Sequence, residues 1–213
     1  MKVQDQEVPT INEFMQAFFQ DFKDALVKWD LVIRDNFMSS DHKDTFYSNY
    51  GKGLDTWSIT EPIIKFLAYT ELCKVYKIRP EDHAYNDGRM LDYSVYIQSD
   101  DHDTISEIGI ELKWGAFTRK GLQKSSSIRS LINDFVKMKE LQNDHKYFIQ
   151  HSISSLELEL QIEALNNQIT DEVDGRLIRK WIPRLIDIKS FEIVGAMNEA
   201  KRFNLLLWSV EKR

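Results

Sequence analysis

The sequence of 213 residues has little cysteine, proline or glycine and no long apolar run. Its single cysteine, Cys73, excludes an internal disulfide, and the apolar helical pattern around it predicts a buried thiol. Four prolines and eight glycines are too few for a low-complexity chain. Without an apolar run of about 18 residues or a signal-like N-terminus, we expect a cytoplasmic globular protein with no membrane partner.

Positive charge is also in short supply. The chain has 28 Lys and Arg against 34 Asp and Glu, a net charge of −6. This balance argues against a protein whose whole surface binds nucleic acid, so any such contact must be local. The candidates for a weak nucleic-acid contact are four basic residues that follow one predicted strand, although ordinary solvated charge explains them equally well: Arg119, Lys120, Lys124 and Arg129.

Apolar residues (42%) and aromatic residues (12%) are plentiful enough for one sizeable core. Spacings of three and four predict an amphipathic helix over 10–36, followed by a polar loop to 57. A second helix is predicted from about 59 to 77, and the pattern breaks over 80–89. We expect this first part to be scaffold.

From residue 90 the pattern alternates, which predicts a β-hairpin made of MLDYSVYIQ and TISEIGIELKW. After a basic loop, the chain continues with a Ser-capped helix, a strand, a further helix and two closing strands: SSSIRSLINDFVKMKELQ, KYFIQHSI, SSLELELQIEALNNQI, SFEIVGAMN and RFNLLLWSV. This order predicts an α/β fold with a central mixed sheet flanked by helices. We divide the single domain into an N-terminal helical extension at 1–57, an αββαβ core at 58–152, and a C-terminal helix with closing strands at 153–213.

The hairpin brings chemical groups together on one face. Because strand side chains alternate between faces, a loop centred on Asp101 and His102 places Asp92 directly across from Glu111. Opposed residues have Cβ atoms roughly 4.5–5.5 Å apart, close enough for two carboxylates to share one divalent cation. Lys113 follows on the same face, where an ammonium stabilises developing negative charge or orients a water. These groups suffice for a metal-dependent phosphodiesterase.

RMLDYSVYI followed by EIGIELKWG resembles the signature of the PD-(D/E)xK, or restriction-endonuclease-like, nuclease superfamily. The resemblance covers roughly 58–152, and it departs from the fuller signature at Leu91, where the pattern has Pro. It implies a restriction-endonuclease-like core with Asp92, Glu111 and Lys113 as catalytic residues. It also implies Mg²⁺ or Mn²⁺ as cofactor and nucleic acid, DNA above all, as substrate.

Members of this superfamily often carry a further acid on the preceding helix, and two glutamates compete for that role. The segment TEPIIKFLAYTEL resembles relatives with an early-helix glutamate, which favours Glu61 as a catalytic residue and metal ligand. A helical wheel favours Glu71, which falls in the arc of the apolar residues Ile64, Leu67, Ala68, Val75 and Ile78. We favour Glu61, whose alternative role is helix capping.

The expected function is therefore a magnesium-dependent nuclease, foremost a DNA endonuclease of the restriction, defence or repair type. The alternative is a catalytically inactive nuclease-fold module that binds nucleic acid or a protein partner, which the acidic net charge favours mildly. Homodimerisation is compatible with either. The sequence alone leaves the cleavage specificity and the endo or exo mode open.

Overall fold

The computed structural model describes residues 10–39, 61–82, 85, 88–98, 104–114, 117–118, 121–122, 125–154, 181–194 and 200–212. In chain order the elements are α1 (Ile11–Ser39), α2 (Glu61–Leu72), β1 (Lys77–Asp82), β2 (Leu91–Gln98), β3 (Thr104–Trp114), β4 (Phe117–Thr118), β5 (Gly121–Leu122), α3 (Ser125–Met138), β6 (His145–Ser154), β7 (Trp181–Val194) and β8 (Ala200–Lys212). The predicted C-terminal helix, SSLELELQIEALNNQI, lies almost entirely outside these residues.

Six strands form one mixed sheet in the order β1-β2-β3-β6-β8-β7. Strands β3 and β6 are parallel, and the other neighbours in the sheet are antiparallel. The parallel pair requires a crossover, and α3 lies in the connection between its strands. The prediction of an α/β fold with a mixed sheet and helices is confirmed.

One face of the sheet is covered by α1 and α2. Helix α1 begins with a capping box, since Glu13 Oε2 accepts from the Thr10 backbone N–H at 2.8 Å and the Glu13 N–H donates to Thr10 Oγ1 at 3.3 Å. The helix then presents aromatic residues to α2 and the sheet. The buried cluster includes Phe18, Phe19, Phe22, Leu26, Ile64, Leu67, Tyr93, Val95, Ile110, Ile149, Leu205 and Leu207.

The opposite face is in contact with α3. The Phe135 ring of α3 lies 4.7 Å from Phe148 and 5.8 Å from Trp208, measured between ring centroids. The Trp208 indole N–H donates to Gln150 Oε1 at 3.2 Å, so this buried amide oxygen is hydrogen-bonded. A Cβ at Gly109 would lie 3.0 Å from the Asn143 side chain, which shows how closely the chain after α3 approaches β3.

The second predicted helix is too long. Helix α2 ends at Leu72, where the Val75 N–H bonds back to the Leu72 carbonyl, and the chain then turns into β1. Strand β1 pairs with β2 through Ile78 and Val95, among other residues. Short apolar runs fit a helix or a strand equally well, and here sheet pairing decided. Cys73, expected to be buried, lies in the turn after α2 and is exposed.

Two further expectations need correction. Strand β7 begins at Trp181, well before its predicted start at Ser190. Pro183 lies within β7, which is an edge strand, and edge strands tolerate proline. The predicted basic loop contains the short hairpin of β4 and β5. Among the helices described, none is long and apolar enough to cross a membrane.

Candidate active site

The pairing of β2 with β3 sets the centre of the site. Tyr93 pairs with Ile110, and continuing this register by one residue places Asp92 opposite Glu111. Here a side chain replaces the backbone as hydrogen-bond acceptor, since the Leu112 N–H donates to Asp92 Oδ2 at 2.7 Å. The only described irregularity in this pairing lies between Ile97 and Gln98, at the other end of the hairpin.

Glu111 is a buried carboxylate, with 6% of its surface exposed. Its Oε1 accepts from the Tyr85 hydroxyl and from Lys137 Nζ, each at 2.6 Å. Burial and the negative charge of Asp92 raise the pKa of Glu111 to about 7, although the hydrogen bonds from Lys137 and Tyr85 act in the opposite direction. The hydrogen bonds from Lys137 and Tyr85 therefore only partly offset the effect of burying this carboxylate beside Asp92.

Asp92 has a lysine of its own. Lys65, from α2, places its Nζ 3.0 Å from Asp92 Oδ1 and 3.1 Å from Glu81 Oε1. Burial acts to lower the pKa of Lys65, but the two carboxylates raise it above its usual value. Each member of the acid pair is thus in contact with one ammonium group.

Lys113 follows Glu111 on the same face of β3, and its ammonium contacts α3. Its Nζ lies 3.0 Å from Asp134 Oδ2. Burial acts to lower the pKa of Lys113, but Asp134 raises it above its usual value, and the charges of Glu61 and Glu111 act in the same direction. The lysine is therefore a cation held beside the acid pair.

The two glutamates of α2 occupy different environments. Glu71 Oε2 lies 2.7 Å from both Lys28 and Lys74 on the α1–α2 surface, and these hydrogen bonds lower the pKa of Glu71. Glu61, at the start of α2, is close enough to the site for its charge to raise the pKa of Lys113. The wheel that favoured Glu71 included Val75 and Ile78, which lie beyond the end of the helix.

The full set of three acids is not assembled as a metal cluster. Within the described residues, no group of three or more His, Cys, Asp or Glu side chains is arranged to hold a metal ion. Of the predicted ligand set, the structure places Asp92 and Glu111 opposite each other, and the charge of Glu61 acts on Lys113.

Four residues of the site were missed by sequence reasoning: Tyr85, Lys65, Asp134 and Lys137. A signal existed on α3, where Asp134 and Lys137 flank the buried residues Ile132, Phe135 and Met138. Tyr85 has no such signal, because it lies in a segment without periodicity. Its ring is in contact with two cations, Lys137 Nζ at 4.6 Å and the Arg89 guanidinium at 5.1 Å from the ring centroid.

The predicted nucleic-acid contact falls on residues that the structure does not describe. Arg119, Lys120 and Lys124 lie outside the described ranges, and for Arg129 only the backbone, within α3, is described. This contact stays a prediction.

Comparisons of the chain with protein-family models, with curated proteins and with solved structures found no match.

Proposed function

We propose that this protein is a metal-dependent nuclease with a restriction-endonuclease-like core that hydrolyses phosphodiester bonds. One observation carries the proposal: Asp92 and Glu111 are opposed at the end of the β2–β3 ladder, with Lys113 on the same face. The elements of the αββαβ order that the resemblance implies occur here as α2, β2, β3, α3 and β6, with β3 parallel to β6, and they support the proposal as well. The chain adds β1 between α2 and β2, and the short β4–β5 hairpin between β3 and α3.

The residues present fit a magnesium or manganese ion. Mg²⁺ is bound through one or two carboxylates and keeps several waters, so the Asp92–Glu111 pair is a sufficient donor set. Burial and the charge of Asp92 raise the pKa of Glu111, and a divalent cation between the two carboxylates would favour their ionised forms. Asp92 and Glu111 would hold the ion, and Glu61 is the candidate for a third acid.

A divalent ion bound here would polarise a phosphoryl oxygen of the substrate and lower the pKa of a bound water. The chain's own residues position the other charges. Lys113 brings an ammonium to the place where negative charge develops, and Asp134 holds that ammonium at 3.0 Å. The Tyr85 hydroxyl fixes the orientation of the Glu111 carboxylate, and the burial of Glu111 keeps bulk water away from it.

The direct test is incubation of the purified protein with supercoiled, linear and single-stranded DNA and with RNA, each with Mg²⁺ or Mn²⁺. Lys113→Ala is expected to lower cleavage by about 100-fold or more, the usual effect of removing one transition-state donor. Lys139→Ala is the matched control, because Lys139 is exposed beyond the end of α3 and should leave cleavage unchanged. Cleavage that persists in Lys113→Ala would contradict the proposal.

One observation favours the alternative, an inactive module of the same fold. Asp92 and Glu111 each contact a lysine, so the acid pair is largely charge-compensated by the chain itself. Mn²⁺ titration by calorimetry distinguishes the two functions. The nuclease requires saturable binding that Asp92→Asn weakens, whereas the inactive module requires none.

A further inference from the structure

We propose that Lys137 is a built-in counter-cation, which competes with the metal for Glu111 and turns to the substrate's phosphate once a metal is bound. This inference rests on the proposed nuclease function and adds a residue that the catalytic signature does not contain. It gives a reason for the largely buried contact between Lys137 of α3 and Glu111 of β3.

The ammonium group of Lys137 is the cation that contacts Glu111 in this structure. Its Nζ lies 2.6 Å from Glu111 Oε1, and the two side chains are 18% and 8% exposed. The described hydrogen bonds to this carboxylate both fall on Oε1. Buried ionised groups require a paired charge, and without a metal Lys137 supplies it for Glu111.

An ammonium and a divalent ion on the same carboxylate repel each other. A metal shared by Asp92 and Glu111 would take Oε1 from Lys137 or bind the other oxygen a few ångströms away. Two positive charges about 4 Å apart repel each other more strongly at a protein surface than in bulk water, because the effective dielectric constant is lower there. Metal binding therefore opposes the Lys137–Glu111 contact.

The ring of Tyr85 keeps the released lysine at the site. Lys137 Nζ lies 4.6 Å from the ring centroid, a cation–π distance, so the ring offers the ammonium a second favourable contact beside Glu111. The lysine is partly exposed and is tethered to α3, which also carries Asp134, the partner of Lys113. A phosphate next to the acid pair would lie within the reach of both lysines.

The test compares the wild type with Lys137→Met, which keeps the length of the side chain and its contact with Tyr85 but removes the charge. Mn²⁺ binding is measured by calorimetry. We expect Lys137→Met to bind Mn²⁺ about tenfold more tightly, because the competing charge is gone. A purely structural lysine predicts equal or weaker metal binding.

A second measurement follows the lysine after its release. Binding of a labelled DNA duplex is measured by fluorescence anisotropy with and without Mn²⁺, with Lys113→Ala added to both proteins so that the DNA stays intact. We expect Mn²⁺ to strengthen DNA binding with Lys137 present and to strengthen it several-fold less in Lys137→Met. An unchanged Mn²⁺ affinity, or a full Mn²⁺-dependent gain in DNA binding without Lys137, would overturn the proposal.

Two controls keep the result interpretable. Lys137→Gln retains a hydrogen-bond donor for Glu111 without the charge, so it should behave as Lys137→Met does and replaces it if that variant fails to fold. Lys139→Met removes an exposed lysine and should match the wild type. A wild type that binds no Mn²⁺ and cuts nothing refutes the proposed function itself, whereas a metal-binding nuclease that is indifferent to Lys137 refutes this inference alone.

Discussion

The two faces of the central sheet are built on different chemistry. Beneath α1 and α2 the buried cluster is almost entirely apolar and aromatic, and Phe18, Phe19 and Phe22 have no exposed surface. Beneath α3, aromatic residues share the space with charges, and Glu111 and Lys137 are an ion pair. An apolar face stabilises the fold without any need to pair charges, because burying charge is costly unless each charge is paired. On the α3 face, charged groups are buried in spite of this cost, and the candidate active site lies there.

The comparison predicts that substitutions on the α3 face remove activity without removing the fold. Asp92→Asn and Glu111→Gln each keep size and hydrogen bonding, so we expect cleavage to fall by 100-fold or more, about the loss from one essential transition-state interaction. Metal-induced stabilisation should shrink sharply, because it reflects ion binding to the native state. Lys113→Ala should lose cleavage but keep most of that stabilisation. Plasmid cleavage beside thermal melts with and without Mn²⁺ checks all three.

The opposite result is expected from the α1–α2 face. Phe22→Ala leaves a cavity in a closely packed core and should cost about 3–5 kcal/mol of unfolding free energy. The fraction that remains folded should still bind Mn²⁺ with wild-type affinity, since Phe22 makes no contact with the acid pair. Urea denaturation and Mn²⁺ titration test this pair of expectations. A loss of metal affinity in Phe22→Ala would show that the two faces are coupled.

The stability of the protein should also depend on pH, because Glu111 and His151 have pKa values shifted by burial. Because the folded-state pKa of Glu111 is raised to about 7, its contribution to metal-free stability is full below the unfolded value of about 4.5 and is lost as pH rises through 7. His151 acts with the opposite sign, because burial lowers its pKa to about 3 and its contribution is lost as pH falls below about 6.5. The difference between wild type and Glu111→Gln cancels His151. It should change by at most about 1.4 kcal/mol per pH unit, in favour of the variant at higher pH.

The smallest expected effect concerns the hydroxyl of Tyr85. Tyr85→Phe removes one hydrogen bond to Glu111 and keeps the ring beneath Lys137. We expect a loss of about 1.5 kcal/mol in stability and a modest fall in cleavage. Chemical denaturation and initial cleavage rates provide the measurement. A larger loss than that of Phe22→Ala would mean that the polar face, and not the apolar one, dominates stability.

Local sequence patterns predicted the β2–β3 hairpin and its register because both depend on alternation. The alternating residues around Asp92 and Glu111 fix which side chains share a face, and a one-residue slip would reverse that face. The end of α2 was predicted wrongly, since Val75 and Ile78 fit a helical period and only the pairing with β2 decides otherwise. The contacts of Lys65 and Lys137 with the acids join residues distant in sequence, which no short-range pattern contains.

The irregularity between Ile97 and Gln98 has a consequence for how this hairpin tolerates change. A bulge takes up a mismatch between two strands locally, so the pairs from Tyr93 to Ile110 onward need not move when the far end of the hairpin changes. Insertions or deletions near residues 99–103 should therefore leave Asp92 and Glu111 opposed. A natural or engineered library can vary the length of that connection freely, whereas a single residue inserted between Tyr93 and Val95 would turn Asp92 into the apolar core.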